Sequence, residues 1–317
     1  MDFKKISAQL NIPAQCKKYG LSLWQCPQFL FLIMGIIIIG ATLTSYVIGN
    51  RYIEEPMMVA LIVLILTVVL FIIAFVIIQG FERLAEANRM KSEFISVVSH
   101  QLRSPLSNLR WATELLMSGR LGKIEEKQTE FFKILKENSG RMQELISDLL
   151  TVSRIETANF SPRKKELSLI ELIKEVIKEF ETFARSSNIK VDFEFQENLP
   201  KVFVDFSQIK LVIENPLDNA IRYIKKGGEV KIKTERKDKK IYFEIKDTGV
   251  GIPKEDQKYI FQKFFRAKNA VRYQTQGSGL GLYITKAIIE KSGGKIGFKS
   301  EEKKGSTFWF TLPIFTK

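Results

Sequence analysis

Histidine is nearly absent from this chain: one residue in 317, His100. A single imidazole can serve at most one histidine-dependent step per subunit. Cysteine is almost as scarce. Cys16 and Cys26 stand ten positions apart with no histidine nearby, so they cannot supply the four ligands of a structural zinc site. They precede the first apolar run, on a segment assigned below to a reducing cytosol, so no structural disulfide is expected. Acidic residues are outnumbered, 35 against 49 Lys plus Arg, for a net charge of +14. That balance can mark a nucleic-acid binder, but neither zinc-finger spacing nor an aromatic RNA-binding box accompanies it. A basic face beside anionic lipid, a polyphosphate ligand and acidic partners account for the excess without nucleic acid.

Charge is also missing from two long stretches. Phe29 to Gly49 runs about 21 residues and Met57 to Ile78 about 22 without a charged side chain, each enough to cross a lipid bilayer. The first is too long, and begins too late, for a cleavable signal peptide. Lys4, Lys5, Lys17 and Lys18 precede it; Arg51 with Glu54 and Glu55 lies between the runs; Arg83, Arg89 and Lys91 follow the second. The positive-inside rule then predicts a multi-pass protein of the cytoplasmic membrane with both termini in the cytoplasm. The loop from Asn50 to Pro56 is too short to fold as an outer ligand-binding domain. Gly80 leads straight into Phe81-Glu82-Arg83-Leu84, which reads as a helix continuing from the second run. A stimulus would act on the spans, the N-terminal tail or a partner protein.

His100 sits in Ser99-His100-Gln101-Leu102-Arg103-Ser104-Pro105-Leu106. At about 100° per residue, Phe94, Val98, Leu102, Leu106 and Leu109 cluster on one side of a helix and His100 projects to roughly the opposite side. A core histidine is thereby excluded; an inconsequential surface histidine is the plain alternative. This helix is expected over 81–117, and Gly119 and Gly122 mark a turn. A second helix, from Ile124 to Thr157, is apolar at Phe132, Leu135, Met142, Leu145, Ile146, Leu149 and Val152. Two amphipathic helices alone bury little. Pairing two hairpins gives a four-helix bundle with a core, hence a homodimer; the alternative is packing against the chain's own C-terminal part. Residues 158–165, with Pro162 and a basic run, read as a linker.

From Glu166 onward the pattern mixes helix and strand. Ser168-Leu169-Ile170-Glu171 is a capping box opening a helix, and Asp205-Phe206-Ser207-Gln208 caps the helix that bears Asn215 and Asn219. Strands are expected near Ile189 to Phe195, Glu229 to Thr234 and Ile241 to Lys246. That order suggests an α/β sandwich with helices on one face of a mixed sheet.

The segment around His100 resembles the phospho-acceptor box of sensor histidine kinases. Four downstream segments resemble the boxes of the histidine-kinase ATPase domain: Asn215-Pro216-Leu217-Asp218-Asn219, Asp247-Thr248-Gly249-Val250-Gly251, Phe261-Gln262-Lys263-Phe264-Phe265-Arg266, and Gly277-Ser278-Gly279-Leu280-Gly281-Leu282. One glycine run is weak evidence; four boxes in this order behind a histidine box are specific. The resemblance covers about residues 81 to 317. It implies a membrane-anchored, multidomain, dimeric kinase with a helical-hairpin phosphotransfer domain and a Bergerat-type ATP-binding domain. The expected limits are a tail over 1–28, two transmembrane helices over 29–79, a dimerisation and phosphotransfer domain over 80–157, the linker, and the ATP-binding domain over 166–317. Its cofactors would be ATP and Mg²⁺, and its partner the receiver domain of a response regulator.

Chemistry supports each box. Asn215 and Asn219 lie four apart, so both amides share one helix face, and neutral oxygens suit a Mg²⁺ shared with phosphate. Asp247 ends an apolar strand, where its carboxylate can accept from the adenine amino group. Gly249 and Gly251 allow the base to approach. Gly277, Gly279 and Gly281, with Leu280 and Leu282 between and after them, open a helix whose N–H groups can face phosphate. Arg222 and Arg266 can offset phosphate charge. Tyr223 resembles the family's residue beside the nucleotide, and the Thr307 of Gly305-Ser306-Thr307-Phe308 its residue near the base. The polar segment from Arg266 to Gln276 is expected to be a mobile lid.

The chain also departs from the family pattern. Gln101 stands where the family has an acid acting as general base, so it can orient His100 but cannot take its proton. Ser104 replaces the Thr or Asn linked to dephosphorylating the regulator. Pro216 removes a helical N–H within the box that holds Asn215, which predicts a kinked helix and makes Asn219 the firmer metal ligand. Two other readings stay open: a gyrase-type hydrolase, disfavoured because Glu214 should point about 100° away from Asn215, and a membrane adaptor that binds ATP only to set its shape.

Overall fold

The computed structural model describes residues 27–122, 124–156, 162–273 and 277–315. The N-terminal tail with both cysteines, residues 158–161 of the expected linker and residues 274–276 of the expected lid lie outside them. The chain divides into two compact units, Met1–His100 with Glu156–Phe160, and Gln101–Ile155 with Ser161–Lys317.

The first unit is built from helix α1 (Pro27–Tyr52) and most of helix α2 (Pro56–Met117). Both are long and apolar enough, by length and composition, to cross a membrane. Their apolar side chains stay largely outward, as at Phe31, Ile36, Val47, Leu64 and Phe71. The core helix of a soluble domain would bury these. At Gly49 a Cβ would lie 2.7 Å from Val59 Cγ1, so glycine is what lets the two helices meet there. α2 has 62 residues, about 93 Å at a rise of 1.5 Å each. No bilayer needs that length. The uncharged run to Ile78 is only its first part; the rest leads into the helical hairpin, with no break at Gly80 and His100 exposed upon it.

In the second unit the end of α2 runs antiparallel to helix α3 (Glu126–Glu156). Gln143 Nε2 donates to Ser107 Oγ at 3.3 Å, and Lys136 meets Glu114 at 3.2 Å. Pro105 lies inside α2 without ending it. The expected apolar stripe is only partly covered: Leu106 and Val152 are buried, but Leu102, Leu109, Leu135, Met142 and Leu145 remain exposed.

The mixed sheet follows in the order β2 (Ile189–Phe195), β4 (Gly228–Lys237), β5 (Lys240–Asp247), β7 (Gly305–Pro313), β6 (Lys295–Glu301). Only β2 and β4 pair in parallel. Helices α4 (Leu169–Ser186), α5 (Phe206–Arg222) and α7 (Gly281–Lys291) supply the apolar side chains that meet it. Ile173, Val212, Ile213 and Ile288 are fully buried, as are Ile232 and Phe243 from the strands. Each such side chain contributes roughly 1.5–3 kcal/mol of burial. Both expected caps form: Ser168 accepts from Glu171 N and Asp205 from Gln208 N. α5 runs through Pro216 as one helix. The stripe of buried residues on both sides of the proline holds the helix together against its one lost N–H bond. Strand β1 (Lys165–Leu167), paired with β3 (Val202–Val204), and the strands β6 and β7 went unrecognised in the sequence. β1 and β3 are three residues each, and β6 is an edge strand broken by Gly297 and rich in lysine.

Candidate active site

Asp247 closes β5 at the floor of a cavity of about 1260 Å³, larger than the roughly 300–1,000 Å³ usual for small-molecule sites. Its Oδ1 accepts from Gly249 N at 2.8 Å and Ser306 N at 3.2 Å. That leaves Oδ2 as the acceptor for a ligand. Burial pushes the carboxyl up to about 6, against the pull of those two N–H groups. Gly251 has φ +64°, and any Cβ there would collide with the Glu301 carbonyl. Val250 N donates to Tyr223 O at 3.0 Å, which ties this turn to the end of α5.

Along α5, Asn215 and Asn219 both line the cavity. Asn215 Nδ2 donates to Gly281 O at 3.1 Å and Thr285 Oγ1 at 3.2 Å, so its amide nitrogen belongs to α7 and only its oxygen remains for a ligand. Arg222 is held by Asp218 at 2.6 Å and lies over the Phe183 ring. Glu214, expected to point away, also reaches the cavity wall; burial raises its carboxyl, Lys210 opposes this, and Glu179 and Glu175 add to it.

The second glycine turn enters α7. Gly279 has φ +68°, and a Cβ would lie 2.7 Å from the Phe264 carbonyl carbon. Leu280 is buried and caps the helix rather than lining the cavity, while Gly277, Gly281 and Leu282 line it. Arg266 crosses the turn, its Nη1 3.5 Å from Gly277 O. The lid begins as a short helix, α6 (Lys268–Tyr273), held by Lys268 N on Asp256 Oδ2, Asn269 Nδ2 on Gly251 O, and Lys225 over the Tyr273 ring. Thr307 alternates to the other face of β7 from Ser306 and Phe308, which take the cavity wall instead. Gly249 supports Asp247 from behind.

The hairpin closes the opposite wall, the packing on the chain's own C-terminal part that the sequence had offered as the alternative to a bundle. Ser278 Oγ donates to Asp148 Oδ2 at 2.7 Å while accepting from Leu280 N at 3.1 Å. Burial raises the Asp148 carboxyl, and the Ser278 bond works against that rise. Lys291 Nζ donates to the Ile155 carbonyl. His100, Gln101 and Ser104 are all exposed on α2.

Two family descriptions match this arrangement. The His Kinase A phospho-acceptor domain covers residues 90–158, and the histidine kinase-, DNA gyrase B- and HSP90-like ATPase covers residues 204–316. The chain belongs to the histidine kinase family. Among its relatives, the circadian input-output histidine kinase CikA of Synechococcus elongatus is 32% identical over 229 residues, 72% of this chain and 30% of that protein. Sensor protein SrrB of Staphylococcus aureus is 34% identical over 226 residues, 71% of this chain and 38% of the relative. The chain thus spans about a third of the length of these curated relatives. Among solved structures, full-length ShkA in complex with AMPPNP aligns with a TM-score of 0.60 at 25% identity, over 71% of this chain and 46% of that one. Histidine kinase ThkA in complex with response regulator protein TrrA aligns with a TM-score of 0.50 at 28% identity, over 74% and 64%. In this histidine kinase the helical hairpin and the α/β ATPase fold therefore stand in the family's order, and the cavity is that of an ATP-binding domain.

Proposed function

We propose that this histidine kinase phosphorylates His100 from Mg-ATP and passes the phosphoryl group to an aspartate on the receiver domain of a response regulator. The observation that carries the reading is the chain's only imidazole, exposed on a long helix, in one chain with a cavity that has a buried carboxylate and a glycine turn at a helix N-terminus. In the reaction an imidazole nitrogen attacks the γ-phosphorus, the bond to the ADP oxygen breaks, and ADP carries away the charge. Rate then comes from positioning and charge stabilisation. Gln101 can orient the ring, but the proton must leave to solvent or phosphate. Bound magnesium would supply charge neutralisation between the β- and γ-phosphates. The Asn219 amide oxygen and the free oxygen of Asn215 are the neutral donors that suit it.

The expected domain limits, dimer and membrane topology belong to the same proposal. Exposed Leu102, Leu109, Met142 and Leu145 on the hairpin favour a second copy completing a four-helix bundle. Outward apolar side chains on α1 and the first part of α2 favour two membrane spans, with basic flanks placing both ends in the cytoplasm. The test is incubation of the chain with γ-labelled ATP, then acid and base treatment. The label should be acid-labile and base-stable, and absent from His100→Gln with nucleotide binding intact. Label of wild-type strength in that variant refutes the assignment. Release of free phosphate without protein label would instead favour hydrolysis, for which Glu214 on the cavity wall is the available carboxylate.

A further inference from the structure

One stripe of α3 forms the hairpin side of the nucleotide cavity, including Lys136, Gly140, Arg141, Glu144 and Asp148. Its cations differ in what holds them. Lys136 and Arg110 are both engaged by Glu114 at 3.2 Å. Arg141 is half-buried and, among the described residues, takes part in no ion pair or hydrogen bond. The acids that share its stripe do not claim it. Glu137 and Glu144, one turn to either side, form no salt bridge with it, and Asp148 is occupied by Ser278. Arg141 thus presents a half-buried cation, engaged by no anion among the described residues, to a cavity that the reading above fills with a polyphosphate.

Geometry gives its place. Ser278 fixes the phosphate-facing turn at Asp148. Arg141 lies seven residues back on the same helix face, about 10 Å along the axis. An extended triphosphate leaving the Gly277–Gly281 turn toward the hairpin, met by a reaching arginine side chain, bridges that span. Gly140 beside it adds no bulk to the cavity wall, and a Cβ there would touch nothing within 4 Å.

We infer that Arg141 of the hairpin is a cation that meets the terminal phosphate, so that the chain senses the γ-phosphoryl group through the helix that lines its nucleotide cavity. This rests on the nucleotide reading above and adds a substrate-contacting residue to it. A planar fork suits a phosphate better than an ammonium does.

The experiment is calorimetric titration of the full chain with Mg-AMPPNP and with Mg-ADP. Arg141→Gln should weaken AMPPNP roughly ten- to a hundredfold, the range of a lost charge-assisted bond, and leave ADP within about twofold. Arg141→Lys should recover part of the loss, and unchanged ADP binding doubles as the check that the variant folds. Equal loss for both nucleotides, or no loss for either, overturns the inference while leaving the nucleotide site intact. A wild-type chain that binds neither nucleotide overturns both together.

Discussion

Asp247 offers the sharpest quantitative test of the nucleotide site. Both of its backbone donors, Gly249 N and Ser306 N, bond the same oxygen, Oδ1. On the proposed reading the adenine amino group would use Oδ2, and would use it best when the carboxylate is ionised. With the carboxyl raised to about 6 by burial, roughly a tenth is ionised at pH 5, so ATP affinity should fall about tenfold between pH 8 and pH 5, near 1.4 kcal/mol. ATP's own phosphate titrates in the same range, so the informative quantity is the difference between wild type and Asp247→Asn. In that variant Oδ1 keeps both N–H donors and Nδ2 replaces Oδ2. An N–H then faces an N–H of adenine, and base preference should move toward purines with a carbonyl at position 6, such as GTP or ITP. The same shift acts on stability. The folded value of about 6 lies above the ordinary 3.8, so the stabilisation from the neutral acid is complete below 3.8 and lost as pH rises through 6. Nucleotide-free Asp247→Asn should therefore gain in melting temperature over wild type at pH 7 and not at pH 4. Fluorescent-nucleotide titrations across pH check the first point, and scanning fluorimetry the second. Coincident pH profiles for wild type and variant, with unchanged base preference, would refute the assignment of Oδ2 to the base.

Asn219→Ala should weaken Mg-ATP binding more than Asn215→Ala, since the Asn215 amide nitrogen is committed to α7; equal losses in a titration would speak against that division. Asn215→Ala should in turn lower thermal stability by about 1 kcal/mol or more through its two lost hydrogen bonds. Gln101→Glu should speed single-turnover phosphorylation by roughly tenfold or less, below the usual general-base range of about 10²–10⁴ because Gln already orients the ring; a slower variant with unchanged ATP affinity would mean the proton leaves by another route. Asp148→Ala removes the Ser278 bond and should raise deuterium exchange over Gly277–Gly281 in the nucleotide-free chain; unchanged exchange there would mark the contact as incidental.

Periodicity and caps made most of the fold legible. The limits of α2 and α3, the Ser168 and Asp205 caps, and the β2, β4 and β5 strands all follow from local pattern, because each depends on neighbours within a turn or two. β1 and β3 were invisible because three residues carry no period, and β6 because an edge strand with alternate lysines lacks the apolar signature. The continuity of α5 through Pro216 was legible in the apolar stripe on both sides of the proline. The lost N–H is local, whereas the buried contacts of Val212, Ile213 and Leu217 that outweigh it are tertiary. At the site, the boxes identified the floor and the glycine turns. They misplaced Thr307, whose face is set by the register of β7, and missed Asp148 and Arg141, which reach the cavity only through packing of the hairpin.

The uninterrupted helix from Pro56 to Met117 makes the chain phase-sensitive. With no break in the helix between the uncharged run and His100, the proposed kinase would carry an angular change at one end to the other as a change of azimuth. One residue inserted between Ile78 and His100 would turn the imidazole by about 100° and advance it by 1.5 Å. Seven would restore its bearing to within about 20° while moving it two turns along. Output should thus vary periodically with insert length, and the helix would be read as a dial rather than as a tether.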